Sequence, residues 1–148
     1  MITMLEVRAY LDPEEVDYVA AAQLGPEALP LLEELIHGAD PMLASKAAYL
    51  TSMIPGDRQV EILGAAATSS DATVRVAAAS GLGNLEEAAA GDLADNLLVD
   101  EDLGVRKLVL RSLTTFDSAA MTERVRRVAE ADPEPVLRGL AAGSLDQT

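Results

Sequence analysis

The stretch Asp71-Ala-Thr-Val-Arg-Val-Ala-Ala-Ala-Ser-Gly-Leu82 has the pattern of a capped α-helix. Asp71 is placed to accept hydrogen bonds from the free backbone amides of the first turn. Val74, Ala77, Ala78 and Leu82 then fall on one face, at three- and four-residue spacing. One such helix has too little apolar surface to fold alone, because helices in water depend on packing. The fold is therefore decided by whether this pattern recurs.

The pattern recurs four more times along the chain. Its first apolar residue, which we call the anchor, stands at Val16, Leu43, Val74, Val105 and Leu137, at intervals of 27, 31, 31 and 32 residues. An aspartate precedes each anchor, at Asp12, Asp40, Asp71, Asp102 and Asp132, and the first, second and fifth are followed by Pro. Asp-Pro is typical of an N-cap followed by Pro at the first helical position. We call the helices that are predicted to follow these aspartates the A helices.

Segments with their own helical periodicity lie between the A helices, and we call them the B helices. They are predicted over residues 26–37, 57–68, 86–99 and 119–131. In the second of them, Val60, Leu63 and Ala67 are predicted to face inward. Short polar or Gly- and Pro-containing connections favour antiparallel helix hairpins. Residues 2–11 have helical spacing as well and are predicted to form an opening helix.

These units predict an all-α fold. We expect one domain over residues 1–148, a right-handed α-solenoid of about five helix pairs with roughly ten helices, because each pair buries its apolar face only against its neighbours. Aromatic residues make up only 3% of the chain, so the core is predicted to consist of Ala, Leu and Val.

Residues 71–75, followed by Ala77, Ala78 and Leu82, resemble the short HEAT repeat of bacterial and archaeal proteins. Residues 102–106 match this motif well, whereas 12–24 keep its apolar pattern without the Arg. The period is shorter than in classical HEAT proteins and is similar to the HEAT-like repeats of bilin-lyase-related proteins. The resemblance implies a ladder of charged residues that pair between neighbouring repeats. It also implies a scaffold protein, whose particular role the fold does not define. The implied ladder residues are Asp71, Arg75, Asp102 and Arg106, with Arg138 as a further candidate.

The composition argues against catalysis and metal binding. The chain has no Cys, and its only His is His37, at a predicted helix C-terminus where an imidazole complements the helix dipole. Zinc sites need several His or Cys ligands, and no Ser or Thr has a His placed to activate it. We therefore predict no enzyme, no cofactor and no metal site.

The charge balance bears on partners and location. The chain has 25 acidic and 11 basic residues, a net charge of −14, which disfavours nucleic acid and favours solubility or a basic partner. No apolar run approaches the roughly 20 residues that span a bilayer. The N-terminus lacks the features of a signal peptide, so a cytoplasmic protein is predicted.

The candidate binding surface is the concave face, which B helices line in stacked helix pairs. Aligning the B helices places one column of exposed residues at Glu33, Glu61, Ala94 and Arg126, and the next at Glu34, Ile62, Asp95 and Arg127. The groove is then acidic along three repeats and basic at the fourth, where Arg124 joins the two arginines. We predict that a basic peptide or helix docks there, with the arginines binding a separate acidic group. Ordinary solvated helix faces would give the same pattern.

Two other functions remain open. The last A helix, over residues 133–145, has apolar residues at Leu137, Leu140 and Leu145 and no following B helix to cover it, which favours a self-assembling structural protein. HEAT-like proteins also include DNA glycosylases and chromophore lyases. A glycosylase needs a basic face and aromatic platforms for bases, and this chain has no Trp and one Phe. Nothing in the sequence supports a lyase, although no residue contradicts one.

Overall fold

The computed structural model describes residues 1–147, and within them it contains ten α-helices and no strand. The helices are α1 Met4–Leu11, α2 Tyr18–Ala22, α3 Leu29–Ile36, α4 Pro41–Ser52, α5 Gln59–Ala67, α6 Ala72–Gly81, α7 Glu87–Leu97, α8 Leu103–Leu113, α9 Ala119–Ala131 and α10 Pro135–Leu145. Short 3₁₀ turns precede α3, at Pro26–Ala28, and follow α6, at Leu82–Asn84. The predicted all-α fold is confirmed. Thr148, the last residue of the predicted domain, lies outside the part that is described.

The helices form two layers. The odd-numbered helices α1 to α9 are the B layer and the even-numbered helices α2 to α10 are the A layer. Successive helices pack on one another from α4 to α8 in the A layer and from α3 to α7 in the B layer. The core lies between the layers. Its largest members are aliphatic, and Leu50, Ile62, Leu82 and Leu97 are each at most 2% exposed. No helix of the described chain is long and apolar enough to cross a membrane.

Small residues allow the central A helices to approach closely. A Cβ atom on Gly81 of α6 would lie 2.6 Å from both Cβ and Oγ of Ser52 on α4. The Ser112 hydroxyl of α8 donates a hydrogen bond of 2.7 Å to the backbone carbonyl of Ala79 on α6. The final helix differs, because α10 packs closely on α9 and has few contacts with α8.

Three of the five predicted N-caps are found. Asp40 accepts from the amides of Met42 and Leu43 at the start of α4, and Asp71 and Asp102 each accept one amide hydrogen bond in the first turn of α6 and α8. These bonds satisfy amides that have no partner within the helix.

The first and last predicted caps are wrong. Asp12 ends α1 instead, and Asp17 caps α2 by accepting from the Ala20 amide, so the predicted anchor Val16 precedes the helix. At the other end α10 has Glu134 as its N-cap and Pro135 at its first position. Proline favours an extended residue before it, and both Glu134 and Asp132 are extended ahead of prolines. The helix therefore starts at the second proline.

Candidate functional site

Arginines of α6 and α8 link successive repeats. Arg75 donates from Nε to the Asp100 carboxylate at 2.8 Å, and Arg106 donates from Nε to the Asp132 carboxylate at 3.0 Å. Each arginine also donates from Nη1, at 2.9 Å, to a backbone carbonyl of its own repeat, Ser69 O for Arg75 and Asp100 O for Arg106. We call these two ion pairs the ladder. It joins the connection before one A helix to the connection before the next.

The aspartates of the ladder are not the ones that were predicted. Asp71 and Asp102 cap α6 and α8, so their carboxylates are committed to backbone amides of their own helices. The carboxylate of each rung stands two residues before an N-cap, at Asp100 and Asp132. Each of them also accepts the amide of that N-cap residue, at 2.9 Å. The prediction of a ladder through Arg75 and Arg106 therefore needs a correction in its acidic partners.

The four side chains of the ladder are buried, which indicates a structural role. The side chains of Arg106 and Asp132 are 10% and 3% exposed, and those of Arg75 and Asp100 are 13% and 10% exposed. Burial alone would raise the pKa of Asp100, but the hydrogen bonds from Arg75 and from the Asp102 amide outweigh it and hold the pKa below its usual value. Asp100 therefore stays charged, because its hydrogen bonds and its attraction to Arg75 offset the cost of desolvation.

Arg58 occupies the acidic end of the predicted groove. Its guanidinium donates to both carboxylate oxygens of Glu33 on α3, at 3.0 and 2.8 Å, and to both oxygens of Glu61 on α5, at 3.3 and 3.1 Å. These hydrogen bonds lower the pKa of Glu61 and raise that of Arg58. The structure thus brings Glu33 and Glu61 together around a cation of the same chain. Glu34 is exposed and has no ion pair among residues 1–147.

Asp95 and the arginines of α9 meet at the other end of the groove. Arg124 donates to both Asp95 oxygens, at 2.9 and 3.0 Å, and these bonds lower the pKa of Asp95. The Arg124 guanidinium lies flat against Gly91 of α7, where a Cβ atom would stand 3.0 Å from Nη2. Arg127 lies farther away, with Nη2 at 3.9 Å from Asp95 and 59% of its side chain exposed. The ion pair therefore leaves most of the Arg127 guanidinium free.

A pocket of about 470 Å³ opens beside this ion pair, between α7, α9 and the connection to α10. Its apolar wall comes from the ends of α7 and α9 and includes Leu98, Val128 and the 82% exposed Val99. Asp95, Arg124 and Arg127 form its charged rim, and the Arg106–Asp132 rung also lines it. A concave site with apolar walls and a few charged groups is suited to hold one side chain of a partner.

The predicted columns are only partly correct. Ala94 and Ile62 are both 0% exposed, so neither lies on the groove surface. On α5 the buried residues include Ile62 and Leu63, while Val60, which was predicted to face inward, is 41% exposed. Arg126 is exposed and pairs with Glu123 of its own helix at 2.6 Å, apart from the Asp95 cluster. The predicted residues therefore form no continuous column: Glu33 and Glu61 meet at one end of the groove, and Asp95, Arg124 and Arg127 meet at the other.

The chain is similar to proteins of known family and known structure. The family model for HEAT repeats matches residues 60–146. The chain belongs to the HEAT repeat family. No curated protein matches this HEAT repeat chain. Nineteen chains of solved structures match it, and one belongs to the structure of the complex of CpcE and CpcF of phycocyanin lyase from Nostoc sp. PCC7120. That chain is 21% identical, with a TM-score of 0.71 over 98% of both chains. The likeness shows the helical-solenoid fold and confirms the resemblance to bilin-lyase-related HEAT repeats.

This HEAT repeat protein shows no assembled metal site in its described residues, since no three His, Asp or Glu side chains are grouped to hold an ion. His37 is exposed at the end of α3. The feature that sequence reasoning missed is Arg58, which unites Glu33 and Glu61 from a position just before α5. In the sequence, Arg58 stands out as the single basic residue of an acidic predicted B helix.

Proposed function

We propose that the protein is a non-enzymatic scaffold that holds a protein partner in the groove along α3, α5, α7 and α9. The pocket of about 470 Å³ carries this proposal, because it lies in the groove at three of the residues expected to bind a partner. Asp95, Arg124 and Arg127 are these residues. An apolar side chain of the partner fits against Leu98 and Val99 while its neighbours contact the charged rim.

The uncommitted charges of the groove define the chemistry of the partner. Glu34 on α3 is free to pair with a basic residue, and Arg127 on α9 is free to pair with an acidic one. Glu33 and Asp95 are engaged by Arg58 and Arg124, so a partner gains less from them. We propose a peptide or helix that is basic towards α3 and presents a carboxylate next to an apolar residue at the pocket.

The test is a charge reversal at the two uncommitted residues. A partner is first isolated with the wild-type chain as bait and then purified, and its affinity for Glu34→Lys and Arg127→Glu is measured by calorimetry. Each reversal is expected to weaken binding by about tenfold or more, because like charges then face each other. Arg111→Glu, an exposed residue of the A-layer helix α8, is the matched control and is expected to bind as the wild type does. Equal affinities for all variants would overturn the proposal.

A second candidate is a subunit of a chromophore lyase, and the likeness over 98% of both chains to a protein of the phycocyanin lyase complex favours it. The chain would then act together with a second protein. Incubation with apo-phycocyanin and its bilin, with and without a co-purified partner, tests this candidate. Bilin absorbance that stays with the acceptor protein after denaturation supports a lyase. An acceptor protein without bilin absorbance contradicts it.

A further inference from the structure

Equivalent residues of the B helices α5, α7 and α9 follow one another at intervals of 31, and Ile62, Leu93 and Arg124 form one such set. The buried residues Ala94 and Val125 keep the same interval, which supports the alignment. Ile62 is 0% exposed and Leu93 is 9% exposed, so both belong to the core. The Arg124 side chain is 17% exposed. A charged residue therefore occupies, on α9, a position that is aliphatic on the two preceding B helices.

The residue that faces Arg124 departs from the repeat as well. Leu93 of α7 lies against Gly64 of α5, where a Cβ atom would stand 3.9 Å from Leu93 Cδ2. Gly64 precedes Leu93 by 29 residues, and the residue that precedes Arg124 by the same interval is Asp95 of α7. Arg124 donates to both oxygens of this carboxylate, at 2.9 and 3.0 Å. The contact between α7 and α9 thus contains an ion pair where the contact between α5 and α7 contains glycine and leucine.

This ion pair gives the stack of helices little that an apolar contact would not give. Partial removal of two charges from water costs free energy, and apolar residues in place of such a pair are often neutral or stabilising. Asp95 is 46% exposed, so solvent also screens its attraction to Arg124. Two charged residues at an otherwise apolar contact are therefore better explained by a role at the surface of the groove than by packing.

Arg127 is a second cation within reach of Asp95. Its Nη2 atom lies 3.9 Å from Oδ1 of Asp95, and its largely exposed side chain lines the pocket. An aspartate without another partner would attract this guanidinium. Because Arg124 already donates to both Asp95 oxygens, Arg127 gains little by moving closer. The two arginines thus differ, since one is bound to α7 and the other is available.

We propose that Arg124 is a positioning residue, which neutralises Asp95 so that Arg127 remains free for a carboxylate of the partner. The inference rests on the proposed function of the groove and adds the residue that keeps its acid-binding arginine available. The carboxylate of the partner then meets a free cation and no unpaired anion at the charged rim of the pocket. Without Arg124, Asp95 would compete with that carboxylate for Arg127 and would also repel it.

Arg124→Leu gives α9 the aliphatic type of the equivalent residues and removes the charge that neutralises Asp95. The affinity for the partner isolated with the wild-type bait is expected to fall by about three- to tenfold in calorimetry, because competition and repulsion then act together. Asp95→Asn added to Arg124→Leu removes the competitor and is expected to return the affinity to within about twofold of the wild type. Arg111→Leu, the same substitution on the exposed face of α8, is the matched control. Circular dichroism shows that each variant remains folded.

The reactivity of Arg127 with phenylglyoxal, located by peptide mass spectrometry, tests the inference without a partner. An ion pair favours the charged guanidinium, which does not react, so the rate is expected to fall about two- to fivefold in Arg124→Leu and to recover when Asp95→Asn is added. The rate at exposed Arg111 is the internal reference.

Two results overturn the inference. The first is an Arg127 reactivity that Arg124→Leu leaves unchanged. The second is a loss of affinity that Asp95→Asn fails to restore, since Arg124 would then act on the partner directly or only through the fold. Failure to isolate any partner removes the proposed function alone, because the reactivity of Arg127 still decides whether Arg124 keeps it free.

Discussion

Asp132→Asn is expected to lower the free energy of unfolding by about 3 kcal/mol, because it leaves a buried arginine without its counter-ion. Asp132 accepts from Arg106 Nε at 3.0 Å, more weakly from Nη2 at 3.5 Å, and from the Glu134 amide at 2.9 Å. Only 3% of its side chain and 10% of that of Arg106 are exposed, so water solvates the unpaired charge poorly. The Arg106 bonds to the carbonyls of Asp100 and Glu101 remain and limit the loss.

The matched control is a bidentate ion pair whose side chains are more exposed to solvent. Arg58 and Glu33 form a bidentate pair at 3.0 and 2.8 Å, and their side chains are 44% and 28% exposed. Glu33→Gln is expected to cost less than about 1 kcal/mol, since solvent screens exposed pairs and Arg58 keeps Glu61 as a partner. Both substitutions replace a carboxylate with its amide, and they differ in the burial of the pair and in the second carboxylate that Arg58 keeps.

Urea titrations at pH 7, followed by circular dichroism, measure both losses. For a chain of this length about 3 kcal/mol corresponds to a decrease of roughly 6–12 °C in the melting temperature. Hydrogen exchange is expected to accelerate first in α9 and α10, because the Arg106–Asp132 rung joins α8 to the connection before α10. A loss below about 1 kcal/mol for Asp132→Asn, equal to that of Glu33→Gln, would refute the reasoning that burial makes the ladder structural.

Three further predictions concern packing and pH. Gly81→Ala is expected to cost about 1–3 kcal/mol in urea titrations, because its Cβ would lie 2.6 Å from Ser52. Gly143→Ala, with no atom within 4 Å of the new Cβ, is expected in the same assay to be stabilising by up to about 1 kcal/mol. Stability is expected to fall below about pH 4, because the carboxyl of Asp100, despite its burial, has its pKa held low by Arg75. Its contribution is complete above the unfolded-state pKa and is lost as the pH falls through the folded-state value, so Asp100→Asn flattens a pH series of melting temperatures.

The helices were predictable because their signals are local. The spacing of Val74, Ala78 and Leu82 reports a buried face, and all three are at most 2% exposed. Asp40 and Asp71 signal helix starts through bonds that span two or three residues. The failures at Asp12 and Asp132 arise where another residue competes for the cap, Asp17 in one case and Glu134 in the other.

Only the basic residues of the ladder were predictable from the sequence. The family resemblance identifies Arg75 and Arg106, but it assigns Asp102 to a rung when that carboxylate is already bound to the Val105 amide. The true partner of Arg75 stands two residues earlier, at Asp100, and the sequence separation of 25 residues is nearly the same for the second rung, at 26. A search for acidic residues 25 or 26 positions after each ladder arginine finds both partners, together with Glu101.

The groove was harder to predict, because its columns depend on the rotation of each B helix. Placing Val60 inward turned α5 so that Ile62 fell on the surface, whereas Ile62 is 0% exposed and Val60 is 41% exposed. Neighbouring helical residues point about 100° apart. A one-residue error in alignment therefore moves a core residue into the binding face. Ion pairs between helices, such as Arg58 with Glu33, depend on this rotation and are not visible in the sequence.

The arginines of this protein therefore lie in distinct environments and have distinct roles. Arg75 and Arg106 are buried between repeats, so their charge stabilises the stack and is closed to partners. Arg127 is mostly exposed above a pocket, and Arg138 has the backbone contact of a buried rung but no carboxylate in residues 1–147. Arg127 is therefore accessible to an acidic group of a partner, whereas Arg75 and Arg106 are already paired. A groove partner would accordingly bind at Arg127 and leave the ladder intact.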